Sequence, residues 1–479
     1  MGRVFNLISK CLIQNMFFPL VNAIKRHASS SFPLTKPFPG FKDSMIVGES
    51  CYFDSSRFME TRTTTLDSGL RVFTVHTPGN SAVIGATVGF GGRDTDKISC
   101  GSPMFFERCL FRKTKHRTKQ KMKEDIRKIG ENVTVQSSRD NLFCLGTVAL
   151  HDIPQWLDVL SDSLSNPEFT TDFVERELKS IEYGKEENLN KAEYVLELLH
   201  RAAFGNKTYG RMLHVEEHSK ITPELLASLH RDYFTAPNIV IGAAGVQHNF
   251  LVEACQYYFR DLPLKLPLSK SYAKFVGGHC HLSTDNSLTH VGVAFSFKSN
   301  GRLTMKETTT MAVLQFLLGG GSSFSAGGPG KGMYTRVYVN ILNSYNWVEM
   351  CNAMGVGYSD AHLFALIGSY KNTDRKNSYG PKLFKIMRHE LEGIITNPIG
   401  NVELQRAKNR LRCLFFSNLE MRPILVEELG RYFLQTGKIP ELKELCTSIE
   451  EVTAEDVREM VLNMLDQPTA TAILGPYDH

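Results

Sequence analysis

The spacing of apolar residues divides the first half of the chain into a short hairpin, several helices and a closing strand. Residues 63–75 predict the hairpin, because a Gly-containing turn separates two stretches rich in β-forming residues. Further on, Thr222 and Pro223 mark a helix start. The other elements predicted here are a strand at residues 82–90, helices at 119–129, 154–164, 173–199 and 223–233, and a strand at 238–245.

A similar succession of strands and helices returns after a segment that contains two prolines. We interpret residues 262–275 as a linker, because Pro263 and Pro267 lack the backbone donor that a helix or a central strand needs. The elements predicted beyond it are strands at residues 290–297, 356–359, 363–370 and 470–474 and helices at 306–318, 333–342, 381–395, 401–419, 426–435 and 454–465. This weak internal symmetry predicts duplication of one α+β unit.

The length of the chain agrees with two such units. A chain of 479 residues is longer than one hydrophobic core usually organises. We therefore predict an α+β fold with two tandem homologous domains, each a mainly antiparallel sheet flanked by helices. The domains would span residues 61–261 and 276–479, and residues 32–60 would form an N-terminal extension.

The first 31 residues have the features of a targeting segment. Residues 1–42 contain six Lys and Arg residues and no acid, and residues 1–31 alternate apolar with basic and uncharged polar positions before ending in three serines. This acid-poor, amphipathic and Ser-rich pattern is typical of a mitochondrial transit peptide. A disordered basic tail is the alternative, so residues 1–31 are left out of the fold prediction.

Composition and charge narrow the class of protein. The net charge is +5, and the six N-terminal cations exceed it, so residues 43–479 sum to −1 and nucleic acid is not expected as the main partner. No run of 18 uncharged apolar residues occurs, which argues against a transmembrane helix. The ten cysteines are scattered without a Cys-x-x-Cys pair, and we interpret them as reduced thiols.

Several short stretches, in order along the chain, resemble the pitrilysin-type (insulinase-type) metallopeptidases. They include residues 64–72, 138–140, 175–176, 203–210 and 403–409. The resemblance is to the mitochondrial branch of that family, which contains the processing peptidases and the core proteins of respiratory complex III. It implies two tandem α+β domains that enclose a substrate chamber together with a homologous partner subunit.

The zinc motif of this family is altered at both of its histidine positions. Active members carry His-x-x-Glu-His on a helix, with two imidazoles that hold zinc and a Glu that acts as general base. The matching residues here are Met104, Glu107 and Arg108, and neither a thioether nor a permanently protonated guanidinium replaces an imidazole ligand. Glu182 lies near the position of the family's distal carboxylate ligand. We predict no catalytic residue and no metal in this chain, with zinc in the partner.

Two other histidine patterns could be mistaken for metal sites. Residues 214–218 match His-x-x-Glu-His, but we expect them in a connector, and no carboxylate follows at the spacing of a third ligand. Residues 279–281 read His-Cys-His and are interpreted as part of a strand, whose alternation would point both imidazoles to one face. An independent zinc peptidase that uses residues 214–218 is the competing hypothesis.

A glycine-rich loop between two predicted helices is the most discriminating feature. Residues 319–332 contain seven glycines in fourteen residues, so the backbone can approach an extended peptide, whereas the residues of a Walker phosphate loop are missing. A flexible linker is the alternative. The resemblance implies the substrate loop of a non-catalytic alpha subunit, and the predicted substrate-binding residues are Gly319, Gly320, Gly321, Ser322, Ser323, Phe324, Gly327, Gly328, Gly330, Lys331 and Gly332.

The resemblance therefore implies a non-catalytic subunit in the mitochondrial matrix. It would bind presequence peptides and present them to a homologous, catalytic beta subunit that carries zinc. The alternative is a structural role as a core subunit of the cytochrome bc1 complex, peripheral on the inner membrane, and the two roles are compatible. A basic stretch at residues 112–128 does not suit basic presequences, so we expect it to face a membrane or another subunit.

Overall fold

A computed structural model describes residues 60–189, 192–216, 219–284, 288–298, 302–323, 333–371, 379–439 and 442–476. Its frame consists of two six-stranded sheets, one from each half of the chain. The first sheet contains β1 (Thr61–Thr65), β2 (Arg71–Val75), β3 (Ser81–Val88), β4 (Val133–Ser137), β5 (Leu142–Ala149) and β6 (Ile239–Ala244). The second contains β7 (Gly278–Ser283), β8 (Leu288–Phe295), β9 (Gly320–Ser322), β10 (Val348–Gly357), β11 (His362–Lys371) and β12 (Ala470–Gly475).

The two sheets share one topology. In the first, β6 lies between β2 and β3, parallel to β2 and antiparallel to β3, and β5 and β4 follow in order. In the second, β12 lies between β7 and β8 with the same directions, and β11 and β10 follow. The last strand of each half is thus inserted between two earlier strands of the same half. The fold consists of two tandem copies of one α+β unit, with β1 and β9 added at opposite edges.

Helices follow the strands in a matching order. In the part of the chain that the structure describes, four helices lie between β5 and β6, and five lie between β11 and β12. The helices are α1 (Ser102–Cys109), α2 (Lys119–Lys128), α3 (Ile153–Ser165), α4 (Thr171–Leu189), α5 (Ala192–Phe204), α6 (Pro223–Tyr233), α7 (His248–Tyr258), α8 (Met305–Leu318), α9 (Gly380–Thr396), α10 (Asn401–Leu419), α11 (Arg422–Thr436), α12 (Leu442–Glu451) and α13 (Ala454–Leu465). Among the described residues, none of these helices combines the length and apolar content needed to cross a membrane.

Each half lends one helix to the sheet of the other. The third helix after β5 is α5, and it packs on β7, β8 and β12 of the second sheet. The third helix after β11 is α11, and it packs on β3 and β6 of the first sheet. Burial of Leu425, Leu429 and Phe433 in that contact contributes about 1.5–3 kcal/mol per side chain. The hydrophobic core therefore joins both halves.

Hydrogen bonds hold α11 against the first sheet at both of its ends. At the N-terminal end, Arg422 donates to Ser81 O at 2.7 Å and also reaches Pro78 O. At the C-terminal end, Arg71 donates to Phe433 O at 2.9 Å. Phe433 O also accepts the N–H of Gly437, the C-cap residue, at 2.9 Å, so its two lone pairs are both used.

The close approach of α11 to β3 depends on Gly430. A Cβ at this position would lie 2.4 Å from Thr87 Oγ1 and 3.8 Å from Phe73 Cε1. Thr87 is buried and β-branched, so its side chain has little freedom to move away. A residue without a side chain is therefore required at this crossing.

Most of the predicted helices and strands are confirmed, and a few differ in their bounds or were not predicted. The hairpin at residues 63–75 forms as β1 and β2, and residues 263–277 contain neither helix nor strand. The helix predicted at residues 173–199 is wrong in one respect, because α4 and α5 divide it. The helix predicted at residues 333–342 begins later and ends in a π-helix, Tyr338–Leu342. The apolar pattern does not predict α7, α12, β4 or β5.

The N-terminal predictions are not addressed by the structure. The transit peptide at residues 1–31 and the extension at residues 32–60, apart from its last residue, lie outside the described residues.

Replacement of Gly430 by alanine tests the helix exchange. Gly430→Ala should lower the free energy of unfolding by about 1–3 kcal/mol, because the added methyl group overpacks the contact with Thr87. The matched control is Gly393→Ala on α9, where a Cβ would meet only Asn397 Nδ2 at 3.8 Å and where alanine favours the helix. Urea denaturation measures the free energy of unfolding of both variants, and equal values for the two would contradict the packing argument.

Candidate functional site

The glycine-rich loop begins where α8 ends. Gly319 adopts φ 64° and ψ −133°, a conformation with positive φ that favours glycine. Its N–H donates to Gln315 O at 2.7 Å. A Cβ on Gly319 would lie 2.3 Å from Thr335 Cγ2, on the other side of the loop. The two ends of the loop are therefore in contact, and glycine is needed for this contact as well as for the turn.

The first residues of the loop join the edge of the second sheet. β9 pairs antiparallel with β10, and its position in the sheet is terminal. Gly320 has φ 140°, and a Cβ there would lie 2.3 Å from Cys351 O. Beyond the strand, the Ser323 N–H donates to Glu349 O at 2.9 Å. This part of the predicted loop is thus an ordered edge strand.

An ion pair holds the far end of the loop. Arg336 donates from Nε and Nη2 to the two carboxylate oxygens of Glu403 on α10, at 2.7 and 3.0 Å. This bidentate pair raises the pKa of Arg336 above its usual value. Tyr334, two residues earlier, is exposed, and the Arg406 guanidinium lies over its ring.

The structure therefore describes both anchors of the loop and only part of its predicted binding residues. Gly319, Gly320, Gly321, Ser322 and Ser323 are described at the first anchor. The other predicted residues lie outside the described part of the chain, and they are Phe324, Gly327, Gly328, Gly330, Lys331 and Gly332.

The altered zinc motif lies on α1, where its polar residues have structural partners. Glu107 accepts hydrogen bonds from the backbone N–H and the hydroxyl of Ser137, at 2.9 and 2.8 Å. Arg108 donates to Glu177 of α4 at 2.7 Å, and Met104 is half-buried. A guanidinium cation in the place of one imidazole and a thioether in the place of the other do not fit a zinc ion.

The distal carboxylate does not change this conclusion. Glu182 lies on α4, but its side chain is outside the described part of the structure. Within the described ranges, no group of three or more His, Cys, Asp or Glu side chains is arranged to hold a metal ion.

The other two histidine patterns have structural contacts of their own. The His214 ring stacks on Tyr194, and Glu216 pairs with Arg201, while the last two residues of the 214–218 string are outside the described residues. The 279–281 stretch lies in β7, which confirms the predicted strand. His279 Nδ1 lies 2.8 Å from the hydroxyl of a threonine on the neighbouring β12.

Comparison with known proteins decides the family. The insulinase family (peptidase family M16) matches residues 71–216, and the peptidase M16 inactive domain matches residues 220–411. The mitochondrial-processing peptidase subunit alpha of Solanum tuberosum is 30% identical over 425 residues, covering 87% of this chain and 82% of the relative. This chain belongs to the family of mitochondrial-processing peptidase alpha subunits. The subunit alpha of Homo sapiens, also 30% identical, covers 94% of this chain and 87% of its own length.

A solved structure supports the fold of this alpha-subunit chain. A protease from Helicobacter pylori superposes with a TM-score of 0.76 over 87% of this chain and 100% of that one, at 15% sequence identity. At this identity the likeness concerns the fold only.

The alpha-subunit chain also contains a buried polar cluster between its halves. Arg93 donates to both carboxylate oxygens of Asp360, at 2.7 and 2.9 Å, and to Ser359 Oγ at 2.7 Å. The Tyr209 hydroxyl lies 2.9 Å from Asp140 Oδ1 and 2.7 Å from Asp360 Oδ1. Burial alone would raise the pKa of Asp360, but hydrogen bonds from Arg93 and Tyr209 lower it. The cluster fixes the turn between β10 and β11 against the first half.

Sequence reasoning did not identify this cluster as a unit. Residues 138–140 carry part of the family resemblance, and they supply Asp140 and Arg139, which pairs with Glu197 at 2.6 Å. The neighbours of Arg93, Asp140 and Asp360 are mostly polar residues or glycine, so local sequence did not mark these side chains as buried. Their partners lie far apart along the chain, so spacing could not connect them.

Metal analysis of the isolated chain tests the altered zinc motif. We expect less than stoichiometric zinc and no peptide cleavage, because Met104 and Arg108 cannot act as ligands. The matched variants are His214→Ala with His218→Ala, which should leave the metal content unchanged. Stoichiometric zinc that disappears in those variants would support the competing site at residues 214–218.

The dependence of the unfolding free energy on pH tests whether His200 and His362 are buried in their neutral forms. Burial lowers the pKa of His200 to about 3 and that of His362 to about 4. His362 Nε2 accepts a hydrogen bond from Phe297 N–H at 3.0 Å, which requires the neutral ring. The unfolded chain, with imidazole pKa values near 6.5, binds more protons below that pH, so stability should fall between about pH 6.5 and 4.

Each unit by which folding lowers an imidazole pKa removes about 1.4 kcal/mol from the free energy of unfolding as the pH falls through that range. His362→Gln should flatten the dependence of the unfolding free energy on pH, whereas the exposed control His389→Gln should leave it unchanged. An identical slope in both variants would contradict a neutral, buried His362.

Proposed function

We propose that this chain is the non-catalytic, substrate-recognising subunit of a mitochondrial processing peptidase. In this proposal it binds presequences and presents them to a homologous beta subunit that carries the zinc ion and cuts the peptide. The observation that carries the proposal is the glycine-rich loop, whose two ends are both anchored in the second half of the chain. The residues at the family's zinc-motif positions in the first half do not fit a zinc ion. The relatives named above share the alpha-subunit name.

The edge position of β9 indicates how an extended peptide would be held. Within the described residues, β9 is hydrogen-bonded to β10 on one side only. A peptide that adds a strand to an exposed edge gains main-chain hydrogen bonds whatever its sequence, which suits presequences of varied sequence. The Glu349 carboxylate, 3.4 Å from Ser323 Oγ, lies at the end of this edge and would attract basic peptide side chains.

The remaining predictions about location and organisation form part of the same proposal. We place the protein in the mitochondrial matrix, with residues 1–31 as its transit peptide and residues 262–275 as the boundary between domains at 61–261 and 276–479. The alternative of a core subunit of the cytochrome bc1 complex has no specific structural observation in its favour. Co-purification of the native protein with haem proteins would support it.

Shortening the loop tests the proposed function. Deletion of residues 324–330 leaves Gly319 to Ser323 and Arg336 in place, so stability and assembly with the beta subunit should remain nearly intact, since loop-closure terms vary slowly with length. Presequence affinity and turnover by the assembled complex should fall at least about tenfold, because the peptide loses its positioning at the partner's zinc. Fluorescence binding and peptide cleavage assays measure the two effects.

The matched control replaces the same number of residues, 372–378 in the connection between β11 and α9 of the same half, by alternating glycine and serine, so that the connection keeps its length. It should leave affinity and turnover unchanged. Normal processing by a stably assembled complex that lacks residues 324–330 would show that the glycines are only a linker.

A further inference from the structure

The basic stretch at residues 112–128 concentrates positive charge on one part of the surface. It contains nine Lys and Arg residues and two acids, a net charge of +7, whereas residues 43–479 as a whole sum to −1. Residues 43–111 and 129–479 together therefore carry a net charge of −8. Such an asymmetry directs association toward an anionic partner.

Internal ion pairs neutralise only part of this charge. Arg117 pairs with Asp125 at 3.3 Å and with Asp162 at 2.7 Å, and Lys113 pairs with Glu168 at 2.8 Å. Shared or longer pairs join Lys121 to Asp125 at 2.9 Å, Lys128 to Asp125 at 3.8 Å and Arg127 to Glu131 at 3.9 Å. The cations whose residues are exposed are Arg112, Lys115, Lys119, Lys121, Lys123, Arg127 and Lys128.

The cations at the start of α2 are unfavourable for the helix, whereas Arg127 and Lys128 in its last turn suit the helix dipole. Lys119 and Lys121 occupy the first turn, which contains no acid, and there they oppose the positive end of the helix dipole. Lys119, Lys123 and Arg127 follow at intervals of four residues, so that like charges are neighbours along one edge of the helix. A helix selected for stability alone would carry acids at some of these positions, and such local conflicts are typical of functional surfaces.

Exposed apolar side chains flank the basic stretch. A cleft whose lining includes His116 and Arg117, with Asp158 and Asp162 that pair with Arg117, continues to Tyr257, Arg260 and Asp261 at the end of α7. Tyr257 is 65% exposed. Its ring, with the Arg260 guanidinium above it, combines an apolar surface with a cation.

The linker that follows α7 adds leucines to this side of the molecule. Leu264 is 72% exposed and Leu266 is 80% exposed. The linker begins beside the cleft, because Asp261 lines the cleft together with His116 and Arg117.

We propose that residues 112–128, with Tyr257, Leu264 and Leu266 beside them, form a surface that binds an anionic phospholipid bilayer. Lysines and arginines attract the negative headgroups, and exposed Leu and Tyr side chains suit the headgroup region. Presequence peptides are cationic and would be repelled, so this surface is separate from the proposed substrate loop. The proposal concerns the association of the subunit with a membrane, and it does not depend on presequence recognition.

Vesicle co-sedimentation of the full chain tests the proposal. The vesicles contain equal parts of phosphatidylcholine and phosphatidylglycerol, with phosphatidylcholine alone as the neutral reference. To exclude binding through the first 42 residues, every chain that is compared carries the substitutions Arg3→Gln, Lys10→Gln, Lys25→Gln, Arg26→Gln, Lys36→Gln and Lys42→Gln.

The surface variant carries Lys115→Gln, Lys119→Gln, Lys123→Gln and Lys128→Gln, which spare the ion pairs of Arg117. The matched control neutralises four exposed lysines elsewhere, and its substitutions are Lys179→Gln, Lys207→Gln, Lys385→Gln and Lys438→Gln. Binding to the anionic vesicles should fall at least about tenfold in the surface variant and remain within about twofold in the control. The melting temperature of the surface variant should change little, because the loss of the Lys128–Asp125 pair, at 3.8 Å, offsets the repulsion that is removed within α2.

Four results would overturn the proposal. The parent chain could bind neutral and anionic vesicles equally, or keep its binding when salt rises from about 0.1 to 1 M, where the Debye length falls from about 10 to 3 Å. The surface variant could bind as well as the control. The chain could bind polyglutamate through this surface but no vesicle, which would assign the surface to an acidic protein partner.

Discussion

The exchange of α5 and α11 between the two halves is the contact on which the rest of the structure depends. Each helix covers a sheet from the other half, so neither sheet has a complete apolar cover without the other half. Gly430 permits the close approach of α11, and Arg422 and Arg71 hold its two ends. Because the two halves share this core, relative motion between them would expose apolar surface at about 25 cal/mol per Å².

This rigid frame gives the glycine-rich loop a fixed origin. Gly319 touches Thr335, β9 continues the second sheet, and Arg336 pairs with Glu403. A loop with many glycines has a high conformational entropy, so its usefulness for binding depends on the placement of its ends. The anchors supply that placement, and the edge of β9 offers main-chain donors and acceptors beside it.

The helix that carries Met104, Glu107 and Arg108 is held in place by contacts of its own side chains. Arg108 joins α1 to α4 through Glu177, and Glu107 caps the backbone at Ser137. These contacts connect the helix to two neighbouring elements. A charge-assisted pair and a doubly engaged carboxylate keep α1 in position without a metal ion to organise it.

The sequence by itself determined the features that depend on local chemistry. The hairpin at residues 63–75, the repeated order of strands and helices, and the unsuitability of Met104 and Arg108 as ligands need no knowledge of tertiary contacts. Periodicity was insufficient where a helical pattern ran through residues 173–199, since it could not indicate the division into α4 and α5. Periodicity also failed to predict α7, in which only Leu251 and Cys255 are buried.

Only the tertiary structure decided which surfaces meet. An amphipathic pattern shows that one face of α5 or α11 is buried, but it cannot show that the face covers the sheet of the other half. The same holds for Gly430 against Thr87 and for Arg93 with Asp360, which are separated by hundreds of residues. These contacts arise from chain topology, and their energies depend on distances that no local pattern of residues contains.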